Sequence, residues 1–193
     1  NVFDAARRGI TQGVVKWGIG VDNVDFNACK DFGIPVTNTP NMFGKEVADL
    51  ALGYLIALAR ETFQIDSGVR KGGWPKPNGI SLAGKNAALI GVGDIGKNTA
   101  KRLIAADMNV TAYDPAVLFA DGLDVHLRRD WPEGLGKADF VVITASLTES
   151  SRYMLNDATL ALCKHGVRIV NVGRGPVIEE AALERALQSG TVY

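Results

Sequence analysis

At 193 residues the chain can form one full domain, or one domain and part of another, since domains typically run about 100 to 150 residues. Lys+Arg equals Asp+Glu at 21 each, and 47% of residues are hydrophobic; a core is affordable, and no basic excess marks a nucleic-acid or membrane-surface protein. No charged-then-apolar leader opens the chain, and its longest apolar run, Leu50 to Ala59, is about half the 20 residues of a membrane span, so a cytoplasmic protein with no nucleic-acid or membrane partner is expected.

Within residues 1–12 an Ala/Arg segment suits the end of a helix. Gly13 then leads into Val14, Val15, Lys16 and Trp17, which read as a short strand, and the loop GIGVDN runs from Gly18 to Asn23. Asp25 is an N-cap for a helix through Phe32, and Gly33 supplies the left-handed stop such a helix uses. Ile34 to Thr37 form the next strand. The first 39 residues therefore make a β-α-β unit typical of a parallel sheet. Two strands cannot bury both their faces, so further sheet partners are expected outside this chain. Cys29 and Cys163 stand among apolar neighbours at no metal or redox spacing, and both read as buried free thiols.

Pro40 interrupts the pattern. From Gly44 to Lys71 the apolar residues Val47, Leu50, Ala51, Tyr54, Leu55, Leu58 and Ala59 recur at the spacing of one long amphipathic helix, suited to bridging two domains or packing on a second subunit. Gly72, Gly73, Pro75, Pro77 and Gly79 mark the loop that follows.

The stretch AALIGVGDIG, Ala87 to Gly96, then gives a buried strand, a G-x-G-x-x-G turn and a helix carrying Ile95, Thr99 and Leu103. That order is the context a dinucleotide-binding turn requires. Gly91 makes the turn, Gly93 lets a pyrophosphate approach the backbone, and Gly96 lets helix and strand pack closely. The free N–H groups and positive dipole end of the helix complete the anion site. Met108 to Tyr113 form the next strand, closing on Asp114, which falls close to the roughly 20-residue distance at which an acid meets the ribose hydroxyls. No Arg follows within several positions of Asp114, so NAD is preferred to NADP.

Leu123 to His126, Phe140 to Thr144 and Val167 to Asn171 read as further strands. They alternate with short helices before Asp139, across Ala158 to Cys163 and from Glu179 to Gln188, with Gly166 and Gly190 as helix stops. Such alternation argues a doubly wound parallel α/β sheet, with ligand sites at the carboxyl ends of its strands. Those ends carry Gly91 to Gly96, Asp114, Thr144 to Leu147 and Val172 to Arg174.

The segments GIGVDNVD (Gly18 to Asp25), GIPVTNTP (Gly33 to Pro40), GVGDIG (Gly91 to Gly96), YDP (Tyr113 to Pro115) and NVGRGPVIEEAALERAL (Asn171 to Leu187) resemble the D-isomer-specific 2-hydroxyacid dehydrogenases, the group that contains D-3-phosphoglycerate dehydrogenase. The resemblance keeps their order and covers nearly the whole chain. It implies a Rossmann-type NAD-binding domain over residues 40–193, lacking its C-terminal end, and part of a flavodoxin-like substrate-binding domain over residues 1–39. It implies an NAD-dependent oxidoreductase that moves a hydride to or from C2 of a D-2-hydroxy acid or its 2-keto acid, with D-3-phosphoglycerate or hydroxypyruvate as preferred substrates, and a homodimer is expected.

Residue by residue, the resemblance assigns the catalytic role to Arg174, whose forked, permanent charge suits a carboxylate and the reacting oxygen. Cofactor contacts fall on Gly91, Gly93, Asp94, Ile95, Gly96, Asp114, Thr144, Ala145, Ser146, Val172, Gly173 and Arg174. Substrate contacts fall on Trp17, Ile19, Gly20 and Arg174, and no metal is expected. The family's acid/base histidine and its glutamate lie further along than Tyr193; His126 and His165 do not match them, so this chain alone is expected to be inactive.

Two positions depart from the family pattern. Asp94 stands where an arginine is frequent, and its carboxylate avoids a pyrophosphate only by turning back to the helix start. Thr144 to Leu147 lack the usual histidine and proline. An NAD-sensing corepressor of the same fold, or a methyltransferase using S-adenosylmethionine, are the alternative functions; the second leaves Asn171 to Gly175 unexplained.

Overall fold

The computed structural model describes residues 8–117 and 122–193. They form two compact units, with the division between Phe43 and Gly44. Most of the Ala/Arg segment expected to end a helix lies outside the described residues.

In the first unit, β1 (Val14–Lys16) and β2 (Val36–Asn38) pair in parallel with Val14 opposite Val36, and α1 (Phe26–Asp31) crosses between them. Asp25 caps α1 as its position predicts, its Oδ1 accepting the Ala28 N–H at 2.9 Å. Gly33 turns the chain out at φ +61, and the Ile34 N–H returns to the Cys29 carbonyl at 2.8 Å. The strand starts later than Ile34 because Pro35 has no N–H to give the ladder.

The second unit opens with α2 (Gly44–Arg60) and α3 (Thr62–Arg70). A five-stranded parallel sheet follows, built from β3 (Asn86–Ile90), β4 (Asn109–Tyr113), β5 (His126–Arg128), β6 (Phe140–Ile143) and β7 (Arg168–Asn171) in the spatial order β5-β4-β3-β6-β7. Between strands run α4 (Asp94–Ala105) and α5 (Asp157–Leu160), and α6 (Glu180–Gln188) follows β7.

Alternate residues of each strand feed opposite faces, the period-2 rule at work on a sheet buried on both sides. Ala88, Ile90, Val141 and Ile143 join Leu160, Ala182 and Ala186 in one core. Ala87, Leu89, Phe140 and Val142 join Ala51, Leu55, Ala100 and Leu103 in the other. Helices on both faces make the sheet doubly wound, as expected. At its amino end Asp139 ties three segments together: one carboxylate oxygen accepts the Asn86 N–H at 2.8 Å and the other pairs with Lys164 at 2.8 Å.

Three expectations need correction. The single helix from Gly44 to Lys71 is two helices, because Glu61 adopts a left-handed backbone, φ 56 and ψ 34. The Ala59 carbonyl, which a continuous helix would give to Phe63, instead accepts the Ile80 N–H at 2.8 Å. The fifth strand runs from His126 to Arg128 rather than Leu123 to His126, since the register that pairs it with Thr111 to Tyr113 begins at His126; Leu123 and Val125 pack on the second core from the loop before it. Cys29 is buried but Cys163 only half-buried, on the turn after α5, where burial pushes its thiol up to about 11.

Candidate functional site

The loops leaving the carboxyl ends of β3, β4, β5 and β6 enclose a cleft of about 470 Å³ in the second unit. The glycine turn forms one wall. Gly91 has φ +93, and a Cβ on it would stand 2.8 Å from the Ala145 backbone nitrogen; a Cβ on Gly96 would stand 2.1 Å from the Gly91 carbonyl oxygen. Both glycines are thus demanded by packing of the turn on its neighbours.

Gly93 is different. It lines the cleft, yet a Cβ there meets nothing within 4 Å. It is also the N-cap of α4 and offers no side-chain bond to the first turn, which leaves those N–H groups to water or a ligand. The fold itself has no use for a bare backbone at Gly93, whereas a phosphate approaching the helix start does. The turn therefore fits the pyrophosphate of a dinucleotide.

Asp114 stands at the end of β4 and is held by three backbone donors. Its Oδ2 accepts the Val92 N–H at 2.7 Å, and its Oδ1 accepts the Ala116 and Val117 N–H groups at 2.9 and 3.3 Å. A carboxylate has about four lone-pair sites, so a fixed acceptor remains for hydroxyls in the cleft. Below it, Trp131 meets the Tyr113 ring edge-on with centroids 5.1 Å apart. The Tyr113 phenol donates to the Glu133 carbonyl, and burial raises its pKa.

On the β6 side, Thr144 spends its hydroxyl on the glycine turn, reaching the Gly91 carbonyl at 2.9 Å. Ser151, only 6% exposed, donates to the Ser146 carbonyl at 2.7 Å and accepts the Thr148 N–H at 2.8 Å. That bond fixes the loop forming this wall.

Gly91, Gly93, Asp114, Thr144, Ala145 and Ser146 thus line one cleft; Asp94, Ile95, Gly96, Val172, Gly173 and Arg174 are not part of its lining. Asp94 turns away toward the start of α2. Its Oδ1 accepts from the Asn98 amide at 3.2 Å, and its buried Oδ2, which has no hydrogen-bond partner, lies 2.2 Å from where a Cβ on Gly44 would be. Bare Gly44 makes the room that lets this carboxylate turn away from the cleft.

Arg174 follows β7 in a turn organised by Asn171, whose Oδ1 accepts the Gly173 N–H at 2.9 Å and whose amide donates to the Arg174 carbonyl at 3.0 Å. A Cβ on Gly173 would come within 2.6 Å of the Ala145 carbonyl, so this turn is packed directly on the loop after β6. Arg174 is half-buried, and its Nη1 donates to the Gly173 carbonyl at 3.1 Å.

In the first unit, the loop after β1 is tied to β2. The Gly18 N–H donates to the Thr39 hydroxyl at 2.9 Å and the Asn38 amide to the Ile19 carbonyl at 2.8 Å, while Trp17 is 75% exposed and its ring lies 6.2 Å from that of Phe43. Among the described residues, the Ile19 and Gly20 N–H groups take no partner.

Sequence reasoning missed Arg129, Trp131 and Ser151. The first two enter from the end of β5, a strand set too early in the chain, and Ser151 carries no spacing signal. Neither histidine lines the cleft: His126 is exposed on β5, and His165 packs against Gly190. Among the described residues no group of three or more His, Cys, Asp or Glu is placed to hold a metal, and no helix is long and apolar enough to cross a membrane.

Residues 52–193 match the family model described as D-isomer specific 2-hydroxyacid dehydrogenase, NAD binding domain. The chain is 40% identical over 182 residues to the hydroxypyruvate reductase of Thermotoga maritima, covering 93% of this chain and 59% of that protein. It is 38% identical over 197 residues to D-3-phosphoglycerate dehydrogenase of Sus scrofa, covering 98% of this chain and 36% of that one. The apo-structure of D-lactate dehydrogenase from Escherichia coli superposes with a TM-score of 0.89 at 27% identity, over 98% of this chain and 61% of that one. The chain thus spans from about a third to three fifths of the length of these relatives. Glycine turn, strand-end acid, sheet order and family match agree: the chain belongs to the D-isomer specific 2-hydroxyacid dehydrogenases and carries their NAD-binding domain.

Proposed function

We propose that the protein is an NAD-dependent oxidoreductase acting at C2 of a D-2-hydroxy acid and its 2-keto acid, with D-3-phosphoglycerate or hydroxypyruvate as substrate. The observation that carries this is a phosphate-ready turn at Gly93 and a fixed acid at Asp114 in one cleft at the carboxyl ends of neighbouring strands, with the Asn171-held turn of Arg174 packed through Gly173 on Ala145 of the same cleft. The relatives named hydroxypyruvate reductase and D-3-phosphoglycerate dehydrogenase support the substrate class. The family match over residues 52–193 favours this reading over a methyltransferase or a corepressor.

Bound NAD supplies the hydride acceptor or donor. The N–H groups opening α4 bind the pyrophosphate, with Gly93 giving the close approach, Gly91 and Gly96 packing the turn that places it, and the Ile95 backbone within the same turn. Asp114 accepts from the ribose hydroxyls. Thr144, Ala145 and Ser146 form the wall toward the reacting end, and Val172 and Gly173 serve the cofactor from the turn packed on Ala145. Arg174 holds the substrate carboxylate and stabilises negative charge on the C2 oxygen, which a forked guanidinium does better than a point charge. Trp17, Ile19 and Gly20 belong to substrate binding: two successive N–H groups without partners among the described residues, in one loop, suit a carboxylate. In this assignment residues 1–39 serve the substrate and residues 40–193 the cofactor. The protein works in the cytoplasm as a homodimer.

The test is NADH oxidation by the full-length protein against a panel of 2-keto acids, with Arg174→Ala alongside. Turnover should fall by about 10² or more in the variant, the scale for losing an oxyanion-stabilising donor, while NADH binding persists. Near-normal turnover would remove Arg174 from the chemistry, and inactivity of the parent on every 2-keto acid would remove the reaction itself.

A further inference from the structure

The ribose end of the cleft holds a group that the spacing after Asp114 does not reveal. Arg129, the residue following β5, lines the same cleft as Asp114. The parallel register explains why: β5 lies beside β4 with Arg128 opposite Tyr113, so Arg129 and Asp114 emerge from adjacent strand ends. Arg128 is engaged with Glu133 at 2.8 Å. Arg129 is exposed and makes no ion pair or hydrogen bond among the described residues.

Charge counting gives this position its meaning. Of the described residues lining the cleft, only Asp114 and Arg129 are charged at neutral pH. An acid alone at the ribose repels a 2′-phosphate, and that repulsion is the usual basis of preference for NAD; a nearby arginine reverses it. Here the acid is already stabilised by three backbone N–H donors, and Arg129, without an ion pair among the described residues, lines the same cleft. A guanidinium presents five donors in a fork that matches phosphate geometry.

We propose that Arg129 is a cofactor-selecting residue: it supplies the counter-charge for a 2′-phosphate, so that the protein binds NADP(H) alongside NAD(H). This rests on the cleft being the cofactor site.

The experiment is a fluorescence titration of the full-length protein with NADH and with NADPH, for the parent, Arg129→Ala, Arg129→Lys and Gly93→Val. The parent should bind both cofactors. In Arg129→Ala the NADPH-to-NADH affinity ratio should fall about tenfold or more, the worth of a charge-assisted hydrogen bond, and Arg129→Lys should restore most of it. NADPH binding should also weaken more steeply with salt than NADH binding. A ratio unchanged in Arg129→Ala, or equal loss of both cofactors, would overturn the proposal; equal loss would mean that Arg129 serves the adenine common to both. Gly93→Val separates the two levels: if it leaves NADH binding intact, the cleft is not the cofactor site, whereas a loss there with no change of ratio at Arg129 defeats only the selectivity claim.

Discussion

Three glycines share one turn, and they answer to different forces. Gly96→Ala would put a methyl group 2.1 Å from the Gly91 carbonyl and 2.9 Å from the Thr144 hydroxyl. Backbone does not yield as a flexible side chain does, so a cost of about 1 to 3 kcal/mol or more is expected, read as a lower urea midpoint. A Cβ at Gly93 meets nothing within 4 Å, and the N-cap backbone there is extended, φ −69 and ψ −162, so Gly93→Val should cost no more than about 1 kcal/mol of stability, from the poorer N-cap. Its NADH affinity should collapse instead. The reverse pattern would mean that Gly93 is structural. The motif gave the three positions equal standing; only the space around each Cβ tells them apart. Asp94 was legible as an anomaly but not as a solution. Its direction depends on bare Gly44, fifty residues upstream, which no local pattern connects to it.

Elements were legible where local chemistry alone decides them. Asp25 caps α1 within three residues of itself, and β3 with its glycine turn declares itself in ten. The break at Glu61 did not, because Glu is a good helix former and the helix ends when the Ile80 N–H claims the Ala59 carbonyl. The start of β5 is likewise set by pairing with β4 rather than by its own alternation. Pairing also creates a pH-sensitive joint at the amino end of β6. Burial acts to raise the Asp139 pKa, but the Asn86 N–H and Lys164 outweigh it and hold the carboxyl below its ordinary value. A carboxyl depressed in the folded state contributes stability that is fully present above its unfolded pKa, near 4, and is lost as pH falls through the lower folded value. Urea midpoints should therefore drop on acidification below about pH 4, and Asp139→Asn should remove part of that drop while lowering the midpoint at neutral pH. An acid limb identical in the variant would show that the carboxylate is not a stabilising joint.

At the scale of the whole molecule, the two faces of the large sheet are covered by helices of different character. The face carrying α2 and α4 has Ala51, Leu55 and Ala59 fully buried against the sheet, yet the same helix leaves Leu50 56% and Tyr54 46% exposed. These two stand one turn apart and so share a face. Ile56, Phe63 and Val69 on α2 and α3 are exposed as well. Single exposed apolar residues are ordinary, but such a concentration on one helix pair fits a surface that a second subunit covers. Sedimentation velocity on the full-length protein should give a dimer. Leu50→Glu should convert it to a monomer, because an interface core tolerates charge poorly, while the far-ultraviolet circular dichroism stays that of the parent, since Leu50 is not part of the monomer's own core. A parent that sediments as a monomer, or a Leu50→Glu variant that remains dimeric, would place the subunit contact elsewhere and leave this apolar face without a partner.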